Sequence, residues 1–165
     1  MILGMSVGAF TILHVAITLV AIGSGLIVVG GMFASHRLPL TTALFLFTTA
    51  LTSVTGFLFP IHGFTPALGV GIVACVFLVA ALFALYKEHL AGAWRWIYVI
   101  AAVVSLYLNV FVLVVQSFMK VSALNALAPM QTEPPFAVTQ AAVLAIFILI
   151  TVIAVIKFRP PKSAN

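Results

Sequence analysis

Five apolar runs, spanning roughly residues 7–33, 39–60, 67–86, 94–118 and 136–157, leave this chain few ways to fold. A helix that crosses the hydrocarbon of a bilayer needs about 20 mostly apolar residues, and each run meets that length. Between them stand short breaks rich in proline and polar residues: SHRLP, PIHGFTP, YKEHLAGAWRW and the longer MKVSALNALAPMQTEPP. Pro39, Pro66 and Pro135 lie where helices are expected to begin, because the first turn of a helix does not need the N–H that proline lacks. The expected architecture is all-α: a single transmembrane domain over residues 1–165, built as a bundle of five membrane-spanning helices.

Composition closes off the alternative of a water-soluble fold. Of 165 residues, 65% are hydrophobic and 5% are charged, with Glu88 and Glu133 the only acids. A soluble domain keeps about a quarter of its residues charged, so the main solvent of this chain is expected to be lipid. The net charge of +5 does not point to nucleic acid, because the basic residues sit singly at the ends of apolar runs and form no patch. Cys75, the single cysteine, lies inside an apolar run and rules out an intrachain disulfide.

The basic residues also orient the chain. With five spans, Arg37, Lys87, Arg95, Lys157, Arg159 and Lys162 share one side, and Lys120 stands alone on the other. Cytoplasmic loops accumulate Lys and Arg, so the N-terminus is expected outside and the C-terminus in the cytoplasm. Trp94 and Trp96 suit the interfacial belt on the cytoplasmic side. In the long outer loop, Val121, Leu124 and Leu127 recur at threes, which predicts a short helix lying in the interface before the last span. Glu133 falls near the start of that span, where the helix dipole favours a carboxylate.

Polar residues inside the spans are the candidates for function. The first span carries a small-residue stripe, Ala9, Ala16, Gly23 and Gly30, with Thr11, His14, Thr18, Ala21 and Gly25 on the opposite face, so it is expected to pack on both sides. The second span sets Thr41, Thr48, Thr52 and Thr55 on one stripe, beside Thr42, Thr49, Ser53 and Gly56. On the fourth, Tyr98, Ser105, Asn109 and Gln116 fall on one line, with Asn109 near mid-membrane. Two readings stay open for these groups: hydrogen-bonded packing between helices, including a bond from Asn109 to the threonines of the second span, or the wall of a cavity or path. Thr48, Thr52, Tyr98, Ser105, Asn109 and Gln116 are the residues expected to line it.

Other chemistry is largely absent. No Asp or Glu lies in a span, which removes a carboxylate proton relay, and the phosphate-loop, zinc-protease and serine-hydrolase signatures do not occur. His36 and His89 sit at the cytoplasmic edge beside charged residues and read as interfacial. His14, about 10 Å into the first span at 1.5 Å per residue, and His62, held in a short loop between Pro60 and Pro66, are the candidate cofactor ligands. Haem or copper, with methionines on the same side supplying soft donors, are the cofactors that pair would suit.

The blocks AGAWRWIYV (91–99), SLYLNVFVLVVQ (105–116) and ALAPMQTEPPF (126–136) resemble a pattern of small polytopic bacterial inner-membrane proteins with no assigned function. The resemblance covers about the C-terminal half and implies a bacterial inner membrane, but no activity or site residues. The expectation is therefore a non-catalytic membrane protein, an oligomer or an accessory subunit of an inner-membrane assembly, with the lipid bilayer and other membrane subunits as partners. Such a chain is suited to hold a quinone or lipid between its second and fourth spans. A haem or copper redox protein using His14 and His62, and a small permease using the stripe from Tyr98 to Gln116, are the alternatives.

Overall fold

Prolines and the ends of the apolar runs set the helix boundaries. The computed structural model describes residues 1–60, 63 and 66–160, with the side chains of residues 66 and 67 set aside. Its helices are α1 (Val7–Phe33), α2 (Pro39–Phe57), α3 (Pro66–Leu82), α4 (Trp94–Lys120), α5 (Ser122–Leu127) and α6 (Pro134–Lys157). A π-helical turn, Phe83–Lys87, extends α3. Five helices, α3 counted with that turn, are long and apolar enough to cross a membrane. Outward-facing side chains such as Ile12, Leu40, Val76 and Val138 are more than half exposed, a surface suited to lipid.

Local chemistry explains where these boundaries depart from expectation. α2 stops at Phe57 instead of 60, since Phe59 precedes Pro60 and the residue before a proline is pushed out of the helical region. α6 begins two residues early because Pro134 can also occupy the first turn. At the other end of α6, the Arg95 guanidinium donates to the carbonyls of Val155 at 2.9 Å and Phe158 at 2.6 Å. A cation here satisfies carbonyls that the helix leaves unpaired and meets the negative end of its dipole. The short helix α5 is tied back by Asn125, whose amide donates to the Phe118 carbonyl at 3.1 Å.

Glu133 occupies the N-cap position of α6 but does not cap it. Its carboxylate turns back and accepts the N–H groups of Met130 at 3.1 Å and Thr132 at 3.0 Å, closing the preceding turn. Desolvation pushes this carboxyl up, but the backbone N–H groups of Met130, Glu133, Thr132 and Gln131 outweigh it and hold the group below its ordinary value.

Hydroxyl-rich helices are accommodated by back-bonding. Ser24, Thr48, Thr55, Ser105 and Thr151 each donate to the carbonyl four residues earlier, at 2.6–2.8 Å. Such bonds satisfy a hydroxyl without water.

α1 packs along α2 and α3 along α4, while α2 also meets α3 and α1 meets α4, so these four helices surround a common axis. α6 lies outside the ring against α4 and α1. The close approach of α1 to its neighbours depends on Gly25: a Cβ there would lie 2.7 Å from Leu106 Cδ1 and 2.9 Å from Phe45 Cε2. The small-residue stripe on the other face of α1 behaves differently from expectation. Ala9, Ala16, Gly23 and Gly30 are exposed, and a Cβ on either glycine would meet nothing within 4 Å. Within one chain, the buried residues of α1, among them Phe10, Thr18, Ala21, Gly25 and Gly31, leave that stripe outside.

Packing is uneven along the axis. Met32, Phe45, Val99, Val103 and Leu106 are fully buried and fill the half of the bundle nearer Arg37 and Arg95. The half nearer Lys120 is hollow.

Candidate functional site

The hollow is an open cavity of about 640 Å³ lined by α1, α2, α3, α4 and the segment after α2, within the range that holds small-molecule ligands. Its lining differs in chemistry from helix to helix. α3 gives an apolar wall, including Val70, Gly71 and Ala74, which Leu108 and Val112 of α4 continue. The polar lining groups come from the other helices, His14 and Thr18 from α1, Thr52 and Ser53 from α2, and Asn109, Gln116 and Lys120 from α4, with Val15, Phe57 and Phe59 among them. Gly71 lets α3 approach: a Cβ there would lie 2.9 Å from the Phe57 ring.

Hydrogen bonds tie the polar groups of α1, α2 and α4 together. Thr55 donates its hydroxyl to the Leu51 carbonyl at 2.6 Å, so at 2.7 Å from His14 Nδ1 it is an acceptor. With the Thr55 hydroxyl given to Leu51, the tautomer that suits this contact carries its proton on Nδ1 and leaves Nε2 with its lone pair. The His14 ring also meets Phe59 edge-to-face at 5.4 Å between centroids. Thr18 donates to the His14 carbonyl at 2.8 Å, and its hydroxyl oxygen also lies 3.3 Å from that of Thr52. The Asn109 amide donates to Thr49 at 3.3 Å, a bond from the fourth span to the threonines of the second.

Several lining groups are not used up in this way. The Asn109 carbonyl oxygen, the Ser53 hydroxyl, the Gln116 amide and the Lys120 ammonium make no hydrogen bond or ion pair with another described residue. None of these atoms is sealed in the protein: the one buried side-chain polar atom without a partner among the described residues is Gln140 Oε1, between α6 and α4. All four belong to residues that line the cavity, and Lys120 is exposed where α4 ends.

The structure brings together only some of the residues expected from the sequence. Thr52, Asn109 and Gln116 meet in this cavity with His14. Tyr98 lies at the other end of α4, against a second cavity of about 220 Å³ lined also by Arg37, Thr42 and Tyr86. Thr48 and Ser105 are buried in the layer between the cavities, bonded to Leu44 and Ala101 carbonyls. His62 lies outside the described residues, as does Lys162. Among the described residues, no three His, Cys, Asp or Glu side chains come together as a metal-binding group would require.

Lys120 and the α3 wall were not expected at a site. Lys120 reads in the sequence as a marker of topology. Gly71 and Ala74 belong to an apolar helix with no polar stripe, so their only signal is small size. No family model matches the chain, and neither a curated protein nor a solved structure is found to resemble it.

Proposed function

We propose that this chain is a non-catalytic integral membrane protein that holds one amphipathic molecule, a quinone or lipid, in the cavity between α1 and α4. It acts as an oligomer or as an accessory subunit of an assembly in the bacterial inner membrane. The N-terminus faces outward and the C-terminus the cytoplasm, an orientation supported by the excess of basic residues at the Arg37 end. α5 lies along the outer interface. The exposed stripe of Ala9, Ala16, Gly23 and Gly30 offers the surface for a second subunit.

One observation supports the ligand most directly: unpaired polar groups of Ser53, Asn109 and Gln116 share a cavity of about 640 Å³ with an apolar wall. Polar groups without partners are costly at membrane depth. A molecule with a polar edge and an apolar face offsets that cost on one side and buries its own apolar surface on the other. Mass spectrometry of an organic extract from the purified protein tests this. One amphiphile per chain is expected, lost in Ala74→Trp, which fills the cavity. An extract indistinguishable between the two proteins would contradict the proposal.

A permease reading draws on the second cavity, since the line from Tyr98 to Gln116 touches both hollows with a packed layer between. In that case Asn109→Leu stops movement of a labelled amphiphile across vesicles while the protein stays folded. A redox reading rests on the free Nε2 of His14, with His62 as its partner for haem or copper. It requires a dithionite-sensitive absorption band that His14→Ala abolishes.

A further inference from the structure

We infer that the ligand of the large cavity is an amphiphile with a single anionic head group, which Lys120 holds at the mouth. This rests on the cavity being a ligand site and narrows its ligand class.

Among the described residues Lys120 is the only Lys, Arg, Asp or Glu on the cavity wall, and it is the last residue of α4. It has no counter-ion among the described residues. Of the two carboxylates in the sequence, Glu88 caps the π-helical turn at the opposite end of the bundle. Glu133 spends both oxygens on the N–H groups of Met130 and Thr132. The ammonium has no ion pair with a described residue.

Its neighbours on the same wall favour an anion. Gln116 lies four residues before Lys120, so the two side chains share a face of α4 one turn apart. The ammonium brings three donors and the amide two, which matches the several acceptor lone pairs of a carboxylate or phosphate. Asn109 lies seven residues deeper, about 10 Å below Gln116 at 1.5 Å per residue. Beside this line the wall is apolar, through Leu108 and Val112 to Val70 and Ala74. The order along the cavity is thus cation at the rim, amide below it, apolar surface alongside. A fatty-acid-like molecule fits that order head first at Lys120. A neutral quinone leaves the exposed ammonium to water and gains nothing from it, and a small free anion leaves the apolar wall uncovered. The chemistry shared by fatty acids and lysophosphatidic lipids is the anionic head on a single chain.

Equilibrium binding of radiolabelled palmitate to the full-length protein in uncharged detergent, at slightly alkaline pH, tests the inference. Hexadecanol, a neutral short-chain quinone, lysophosphatidate and acetate serve as competitors, and Lys120→Gln, Lys120→Arg and Ala74→Trp as variants. Palmitate is expected to bind saturably, displaced by lysophosphatidate but not by acetate. Lys120→Gln weakens it by about tenfold or more, as expected for a hydrogen bond to a charged group, while Lys120→Arg retains it. Hexadecanol and the quinone compete correspondingly worse. If hexadecanol or the quinone competes as well as unlabelled palmitate, or Lys120→Gln binds palmitate like the parent protein, the anionic class is wrong while the cavity reading stands. If nothing binds, or Ala74→Trp changes nothing, the cavity reading fails and the inference falls with it.

Discussion

Arg95 shows how a single side chain can finish a helix that the local sequence leaves open. α6 ends with its last carbonyls unpaired, and one guanidinium from α4 takes two of them, at Val155 and Phe158. Hydrogen bonds to a charged group are among the stronger ones. Arg95→Ala is expected to cost about 1–3 kcal/mol, seen as a lower melting temperature in micelles and faster amide exchange at the C-terminal end of α6. Lys, a point charge without the planar fork, restores only part. Glu133 gives a prediction with a pH sign. Its folded carboxyl titrates below the ordinary 4.5, so its contribution to loop order is fully present above that value. The contribution is lost as pH falls through the lowered one. Amide exchange at Met130 and Thr132 should rise over that acid window and show no such step in Glu133→Gln. Sequence reasoning reached the bond from Asn109 to the threonines of α2, because a mid-membrane amide must find a partner. It could not reach Lys120, whose part depends on where the cavity opens and on both carboxylates being committed elsewhere.

Among the elements, α1 and α3 show why helix faces are only partly legible. A small-residue stripe and a polar stripe on α1 both read as packing surfaces, and only three-dimensional placement separates them. Gly25 lies against Phe45 and Leu106, whereas Gly23 faces outward with nothing near. Gly25→Val is therefore expected to destabilise the fold by about 1–3 kcal/mol through overpacking. Gly23→Val should leave the melting temperature of the single chain nearly unchanged. If Gly23→Val also shifts the protein to a smaller species in size-exclusion chromatography, the exposed stripe joins subunits. Equal losses of stability from the two substitutions would contradict the packing described here. α3 carries no periodic signal, being apolar all round, yet it supplies an apolar wall of the cavity. The line on α4 was legible as a line. Its division between a large cavity, a packed layer and a small cavity was not, because spacing along a helix says nothing about how neighbouring helices diverge.

Across the whole molecule, the larger cavity lies in the half nearer Lys120 and the smaller one in the half nearer Arg37. Five apolar helices follow from length and hydropathy alone, and the alternation of basic and neutral ends follows from where Lys and Arg stand. The larger hollow does not, since it arises from α2 and α4 touching sparsely, bridged where Asn109 meets Thr49. Placing a photoreactive benzophenone side chain at Val112, on the cavity wall, tests whether that hollow is a ligand site in the intact membrane. The matched control is Val138 on α6, 66% exposed at the outer surface of the bundle. After irradiation and mass spectrometry of the cross-linked protein, Val112 is expected to yield one dominant amphiphile adduct and Val138 the mixed profile of the bulk bilayer. Identical adduct profiles at the two positions would mean that the cavity holds ordinary bilayer lipid and selects nothing.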